Sequence, residues 1–361
     1  MDKITEYVDL LVKTRVPYLD VIAYREGEEI YRYYTGREGA TGKERLLMYS
    51  ATKPVTAVLA LRLIEEGRLS LDTPVACILP EYADVYLLDE NGARKPPRTA
   101  MTVKHLLTMT AGLSYDRSRY PAKEALASKG QESDTRAIAR AFAAAPLLYE
   151  PGSRFTYSLC HDALAAVIEV AAGMPFSAYM KQTILDPLGM TDTRVSRIDE
   201  SGVADIYVAD AEGNLTLGEK RNELLYSDGH ESGGAGLVST VPDYARFARA
   251  LSLGGEGILS AASVRRLYTP VLSSVSVESG FTCVQGREYG YGLGVRTRVT
   301  PTDWGLSVGE FGWDGAAGTY LMVDPVKRCA VVIGMHLRNW PAVFRDEHLA
   351  IVRRIYETFS L

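Results

Sequence analysis

Two stretches of strand-forming sequence lie at opposite ends of this chain, with a long helix-rich tract between them. Leu19 to Tyr24 and Glu29 to Thr35 are β-rich runs on either side of the turn-like Arg25-Glu26-Gly27-Glu28, so the spacing predicts a hairpin, preceded by a short amphipathic helix. Strand-like runs return only at Gly290 to Arg298, Trp304 to Phe311, Thr319 to Val323 and Cys329 to Met335. Asp324 to Arg328 links the last two tightly, which predicts antiparallel neighbours. An isolated hairpin is marginal in water. The two ends therefore predict one antiparallel sheet built from both, with a terminal helix over Pro341 to Phe359 closing the chain.

Helical composition fills the middle: Ser50 to Glu66 stopping at Gly67, then Val103 to Met109, Asp134 to Ala144, His161 to Ala172 and Pro175 to Leu185, with Pro242 to Leu253 following later. The expectation is an α+β fold with two parts. Residues 1–48 and 238–361 would form an α/β lobe with the antiparallel sheet, and residues 49–237 a mainly helical lobe, with the active site in the cleft between them. A chain of 361 residues with 47% hydrophobic residues can bury such cores. Its 40 basic and 45 acidic side chains are scattered, which argues against nucleic acid and anionic membrane surfaces as partners. Cys77, Cys160, Cys283 and Cys329 lie far apart and read as reduced and mostly buried. The charged start offers no apolar leader, so the expected location is the cytoplasm. Nothing in the pattern specifies an oligomeric state.

Tyr49-Ser50-Ala51-Thr52-Lys53-Pro54 places a hydroxyl and an amine three residues apart at the start of a helix, where positions i and i+3 share a face. A serine hydroxyl is a poor nucleophile until a base takes its proton, and a lysine amine can do so if its charge is suppressed. The helix N-terminus also favours negative charge developing on a bound carbonyl oxygen. Taken alone, the same residues read as a helix cap and a solvent-facing lysine.

They are not alone. The run Tyr49 to Val75, with its Lys53-Pro54 step and Leu69-Ser70-Leu71-Asp72-Thr73-Pro74-Val75, resembles the start of the serine β-lactamase and penicillin-binding superfamily. His105 to Leu113 resembles the segment before that superfamily's second motif, Pro151 to Leu159 the second motif itself, and Ser232 to Thr240 a further segment. Phe311-Gly312-Trp313-Asp314-Gly315-Ala316 falls where the third motif should. The resemblance runs from Met48 to Met335 in the expected order and implies a β-lactamase/transpeptidase-like fold.

Two departures from it are informative. The second motif is usually Tyr-x-Asn and here is Tyr157-Ser158-Leu159; the third is usually Lys-Thr-Gly or His-x-Gly and here is Trp313-Asp314-Gly315. Leu159 cannot hydrogen-bond a substrate amide, and Trp313 replaces a cation with an indole donor and apolar surface. This pair of changes resembles the family VIII carboxylesterases. The resemblance implies Ser50 as nucleophile, with Lys53 and Tyr157 relaying its proton and Lys53 keeping a positive charge near the phenol. It also implies an oxyanion hole from the N–H groups of Ser50 and Ala316. Trp313, Gly315 and Leu159 would border the substrate, a small-molecule ester, without metal or cofactor. The same acyl-enzyme serves an acyltransferase. A β-lactamase or D-amino-acid peptidase is a weaker alternative, and a non-catalytic scaffold of the same fold weaker again.

Other patterns carry less. Gly305-Leu306-Ser307-Val308-Gly309 spells a nucleophile elbow, but Ser307 reads as a strand residue. Cys160-His161-Asp162 are adjacent and cannot face one another on a helix. Gly36 to Lys43 resembles a phosphate loop only loosely. The five histidines show no metal-ligand spacing, and His230 is of interest only as a neighbour of the Ser232 to Gly236 segment. Arg338 and Asn339, at the expected start of the terminal helix, are the candidates for reaching into the carboxylate subsite, Arg338 as the substitute cation.

Overall fold

The computed structural model describes residues 2–120, 134–272, 288–340 and 346–361. Helix α1 (Lys3–Thr14) is capped by Asp2, whose carboxylate accepts from the Ile4 and Thr5 N–H groups. Strands β1 (Tyr18–Arg25) and β2 (Glu28–Gly36) form the expected hairpin. The middle holds helices α2 (Thr52–Glu65), α3 (Asp134–Ala143) and α4 (Cys160–Ala172), followed by α5 (Val241–Ser252). Then come β3 (Tyr289–Tyr291), β4 (Arg296–Arg298), β5 (Phe311–Asp314), β6 (Tyr320–Asp324), β7 (Cys329–Gly334) and helix α6 (His348–Phe359). The start of the expected terminal helix, 341–345, and Cys283 lie outside the described residues.

These strands form one seven-stranded antiparallel sheet in the order β3-β4-β5-β6-β7-β1-β2. The join between the chain ends is the β1–β7 pair, in register from Asp20 opposite Gly334 to Arg25 opposite Cys329. Alternate residues serve opposite faces, as the strand period requires. Val21, Ala23, Val331 and Ile333 pack with α1 and α6, while Ile22, Ala330 and Val332 pack with α5, α2 and α4. Helix α2 is buried nearly all round, which makes it the centre of the larger core and explains its weak amphipathicity. No single helix among the described residues is long and apolar enough to cross a membrane.

The late strands differ from expectation in two places. Gly290 to Arg298 is a hairpin, β3 and β4, turned at Gly292, whose N–H donates to the Val295 carbonyl at 2.9 Å. Trp304 to Glu310 is not a strand: Gly305 and Gly309 take φ of +120° and +89°, which breaks extended backbone, and only Phe311 joins the sheet. Ser307 therefore sits in a turn, its N–H donating to Asp324 at 3.0 Å, with no helix after it. The elbow pattern has no elbow. Cys77 is also exposed, while Cys160 and Cys329 are buried.

Behind β5 lies a buried ion network. Arg296 reaches Asp314 at 3.1 Å and Glu310 at 3.5 Å, Arg298 reaches Glu310 at 3.5 Å, and Arg296 also donates to the Leu321 carbonyl. It ties β4, β5 and β6 together beneath the third motif. Removing one member of such a group strands the others' charge in low dielectric. Arg296→Met should therefore destabilise the protein by about 3–5 kcal/mol in urea unfolding; a change under ~1 kcal/mol would show that the network contributes packing alone.

Candidate active site

The nucleophile candidate stands on a strained turn. Tyr49 has φ +45°, unusual for a bulky residue, and Tyr49–Ala51 form a 3₁₀ turn leading into α2, so Ser50 precedes the helix rather than opening it. Such a conformation costs on the order of 1–3 kcal/mol and persists only where its surroundings enforce it. Here the Thr52 hydroxyl donates to the Tyr49 carbonyl at 2.6 Å and accepts from the Leu237 N–H at 3.0 Å. The Tyr244 hydroxyl donates to the Ala51 carbonyl at 2.5 Å, and the buried Tyr49 ring packs with Leu47, Val203, Ile206, Val238 and Ala317. Ser50 is left 8% exposed.

Lys53, in the first turn of α2, has no exposed surface. Its Nζ donates to Ser50 Oγ at 3.1 Å, to the Tyr115 hydroxyl at 3.0 Å and to the Gly234 carbonyl at 2.7 Å. Burial pushes its pKa down to about 7, against the opposing pull of Asp162 above all. The three donated bonds are those of an ammonium, whose charge burial disfavours.

Tyr157 lies just before α4, its ring centroid 4.7 Å from the Lys53 Nζ. Its hydroxyl accepts from the Trp313 indole N–H at 3.1 Å, and the two rings stack at 5.4 Å. Trp313 itself is fully buried, edge-on to Tyr291. The indole donor is directed at the phenol.

Tyr115 was not singled out by the sequence. It lies 5.3 Å from Tyr157 between ring centroids, and desolvation pushes its phenol well above the usual range. The one available signal is its position two residues past the recognised His105 to Leu113 segment, among 22 tyrosines.

At the end of β5, a Cβ on Gly315 would fall 2.3 Å from the Met48 carbonyl oxygen, so only glycine lets this strand meet the turn that carries Ser50. Ala316 follows it, exposed, in the turn closed by the Gly318 N–H on the Gly315 carbonyl at 2.9 Å. Leu159 precedes α4 with its side chain in the central core and its carbonyl accepting from the Asp162 and Ala163 N–H groups.

Arg338 does not start a helix. It lies on the short strand Leu337–Arg338, ion-paired with Glu223, with its guanidinium 5.7 Å from the Tyr49 ring centroid. Asn339 is exposed. Cys160 faces Ser158 at 3.1 Å and Asp162 faces Ser232, so the three consecutive residues make no triad. Among the described residues no group of three His, Cys, Asp or Glu side chains could hold a metal ion.

The chain is 32% identical over 295 residues to protein Rv1367c of Mycobacterium tuberculosis, covering 76% of this chain and 73% of that one. It is 27% identical to the lovastatin esterase of Penicillium rubens, covering 83% of each. Among solved structures, EstCE1, described as a hydrolase with promiscuous acyltransferase activity, superposes with a TM-score of 0.78 at 26% identity over 98% of both chains. The family model described as Beta-lactamase matches residues 2–353. A buried lysine against a serine at a helix start, a phenol beside it and a glycine-ended strand opposite are carried by a chain that belongs to the Beta-lactamase family of serine hydrolases.

Proposed function

We propose that this protein is a serine carboxylesterase acting on neutral small-molecule esters through an acyl-enzyme on Ser50. The observation that carries the reading is the fully buried Lys53 amine, 3.1 Å from Ser50 Oγ with its pKa held to about 7 by desolvation. Ser50 Oγ attacks the ester carbonyl carbon as its proton passes to the neutral Lys53 amine. The resulting oxyanion lies between the Ser50 and Ala316 N–H groups. Collapse breaks the bond to the alcohol oxygen, which takes a proton relayed from Lys53 through the phenol of Tyr157. Water then attacks the acyl-enzyme along the same path in reverse, regenerating Ser50 and releasing the acid.

Neutral esters are favoured because the polar recognition groups of the second and third motifs are absent. Leu159 offers no amide, Trp313 spends its one donor on Tyr157, and Arg338 is matched by Glu223. An anionic β-lactam would lose a cation and an amide partner, each worth about 1–3 kcal/mol. Transfer of the acyl group to an alcohol is the second reading, favoured by the acyltransferase activity named for EstCE1.

Ser50→Ala, Lys53→Ala and Tyr157→Phe should each lower p-nitrophenyl butyrate turnover by on the order of 10³-fold or more, with Ser50→Ala keeping the wild-type melting temperature, while Ser307→Ala retains activity. A folded Ser50→Ala protein with near wild-type turnover would overturn the mechanism. Because the Lys53 amine must be neutral to accept a proton, kcat/KM should fall as pH drops through about 7; a profile flat from pH 5 to 8 would place the base elsewhere. On one preparation, kcat/KM for p-nitrophenyl butyrate should exceed that for a chromogenic cephalosporin by about 10²-fold or more, and the reverse order would reject the esterase reading.

A further inference from the structure

Asp162, Ser232 and His230, which this chemistry leaves unused, are linked to one another beside the turn whose Gly234 carbonyl holds Lys53. Asp162, on the first turn of α4, is 3% exposed and accepts from the Ser232 hydroxyl through Oδ1. Ser232 Oγ in turn accepts from the Ala235 N–H at 2.9 Å, which curls residues 232–236 into a turn. Gly234, inside it, is wedged between two charge-bearing groups. Its carbonyl receives the Lys53 Nζ at 2.7 Å, and a Cβ on it would lie 2.4 Å from Asp162 Oδ2. His230 Nε2 stands 3.6 Å from Asp162 Oδ1, but burial holds that imidazole down to about 4, so the ring is neutral.

We propose that Asp162 is a positioning residue for the hydrolase: it holds the 232–236 turn against Lys53 and supplies the counter-charge to the buried ammonium. The proposal rests on Lys53 serving as base to Ser50. A buried carboxylate requires a compensating partner, and the groups facing it from the glycine turn and its own helix are the Ser232 hydroxyl, the neutral His230 ring and the Cys160 thiol, none of them cationic. Arg117 and Asp134 act on His230 from further out. Facing Lys53 are Ser50 on its own turn, the Tyr115 and Tyr157 phenols, the neutral His161 ring, Cys160 and Asp162 on α4, and the Gly234 carbonyl. Asp162 is the largest of the charges that oppose the desolvation of Lys53. Without it the amine would be neutral over a wider pH range, and with it the ammonium formed when Ser50 gives up its proton is stabilised.

The test is the pH dependence of fluorophosphonate labelling of Ser50, followed by intact mass, which reports the nucleophile without an ester substrate. Wild-type labelling should fall on the acid side of about 7. In Asp162→Asn, whose amide oxygen can still accept from Ser232, that limb should move to lower pH by on the order of one unit. Ser232→Ala, which keeps the charge and cuts the tether, should leave the limb in place and lower the plateau rate several-fold. No labelling of wild type would defeat the Ser50–Lys53 reading itself. Normal wild-type behaviour with an unmoved limb in Asp162→Asn would defeat the role of Asp162 alone. Should Asp162→Asn fail to fold, the double variant Lys53→Met/Asp162→Asn should recover a cooperative thermal transition at pH 6, because both charges have gone. A double variant no more stable than the single one overturns the pairing.

Discussion

Taking a lysine amine out of water is the constraint on which this structure turns. An ammonium buried without partners is expensive, and the chain meets that cost with one carbonyl, two hydroxyl oxygens and a nearby carboxylate rather than with solvent. Each partner comes from a different part of the sequence. The turn carrying Gly234 must dock on α4, where a Cβ at Gly233 would meet the His161 carbonyl at 2.3 Å. The loop carrying Tyr115 must fold over the start of α2, and Tyr49 must be held at positive φ. Reactivity and local strain follow from the same packing.

The third-motif strand answers a different need. In place of a cation facing substrate it carries an indole whose N–H is spent on the Tyr157 hydroxyl, so the strand fixes the phenol through a hydrogen bond and a stacked ring. The Arg296, Arg298, Glu310 and Asp314 network holds that strand from the opposite face. Polar groups that could recognise a ligand have been exchanged for groups that restrain a side chain.

Much of this was legible in the residues. The hairpin, the antiparallel join of the chain ends and the central helix followed from period, turn residues and apolar runs, and the family resemblance singled out Ser50, Lys53 and Tyr157, which the fold brings together. What escaped was of two kinds. Trp304 to Glu310 has strand-like apolar content, but its two glycines adopt positive φ, which composition does not reveal. Tyr115 and Asp162 make contacts closed only by tertiary folding, Tyr115 reaching Lys53 across 62 positions and Asp162 reaching Ser232 across 70. No periodicity encodes such a distance, and Asp162 was hidden further by a neighbouring cysteine and histidine that suggested the wrong chemistry.

The order of strands in the sheet has a consequence for how the protein comes into being. β1 is interior, yet its partner β7 follows the whole helical middle in the chain, so during synthesis the hairpin must wait with one edge open while that middle emerges. Contacts this remote in sequence are slow to form, and an open edge in the meantime invites pairing with other chains. The outer strand β2 carries Glu28, Glu29 and Arg32, charges that discourage such pairing on its side. Nascent chains would thus carry serine and lysine long before Gly315 and Ala316 arrive to face them, and hydrolytic competence would date from closure of the sheet rather than from formation of the helix that bears the nucleophile.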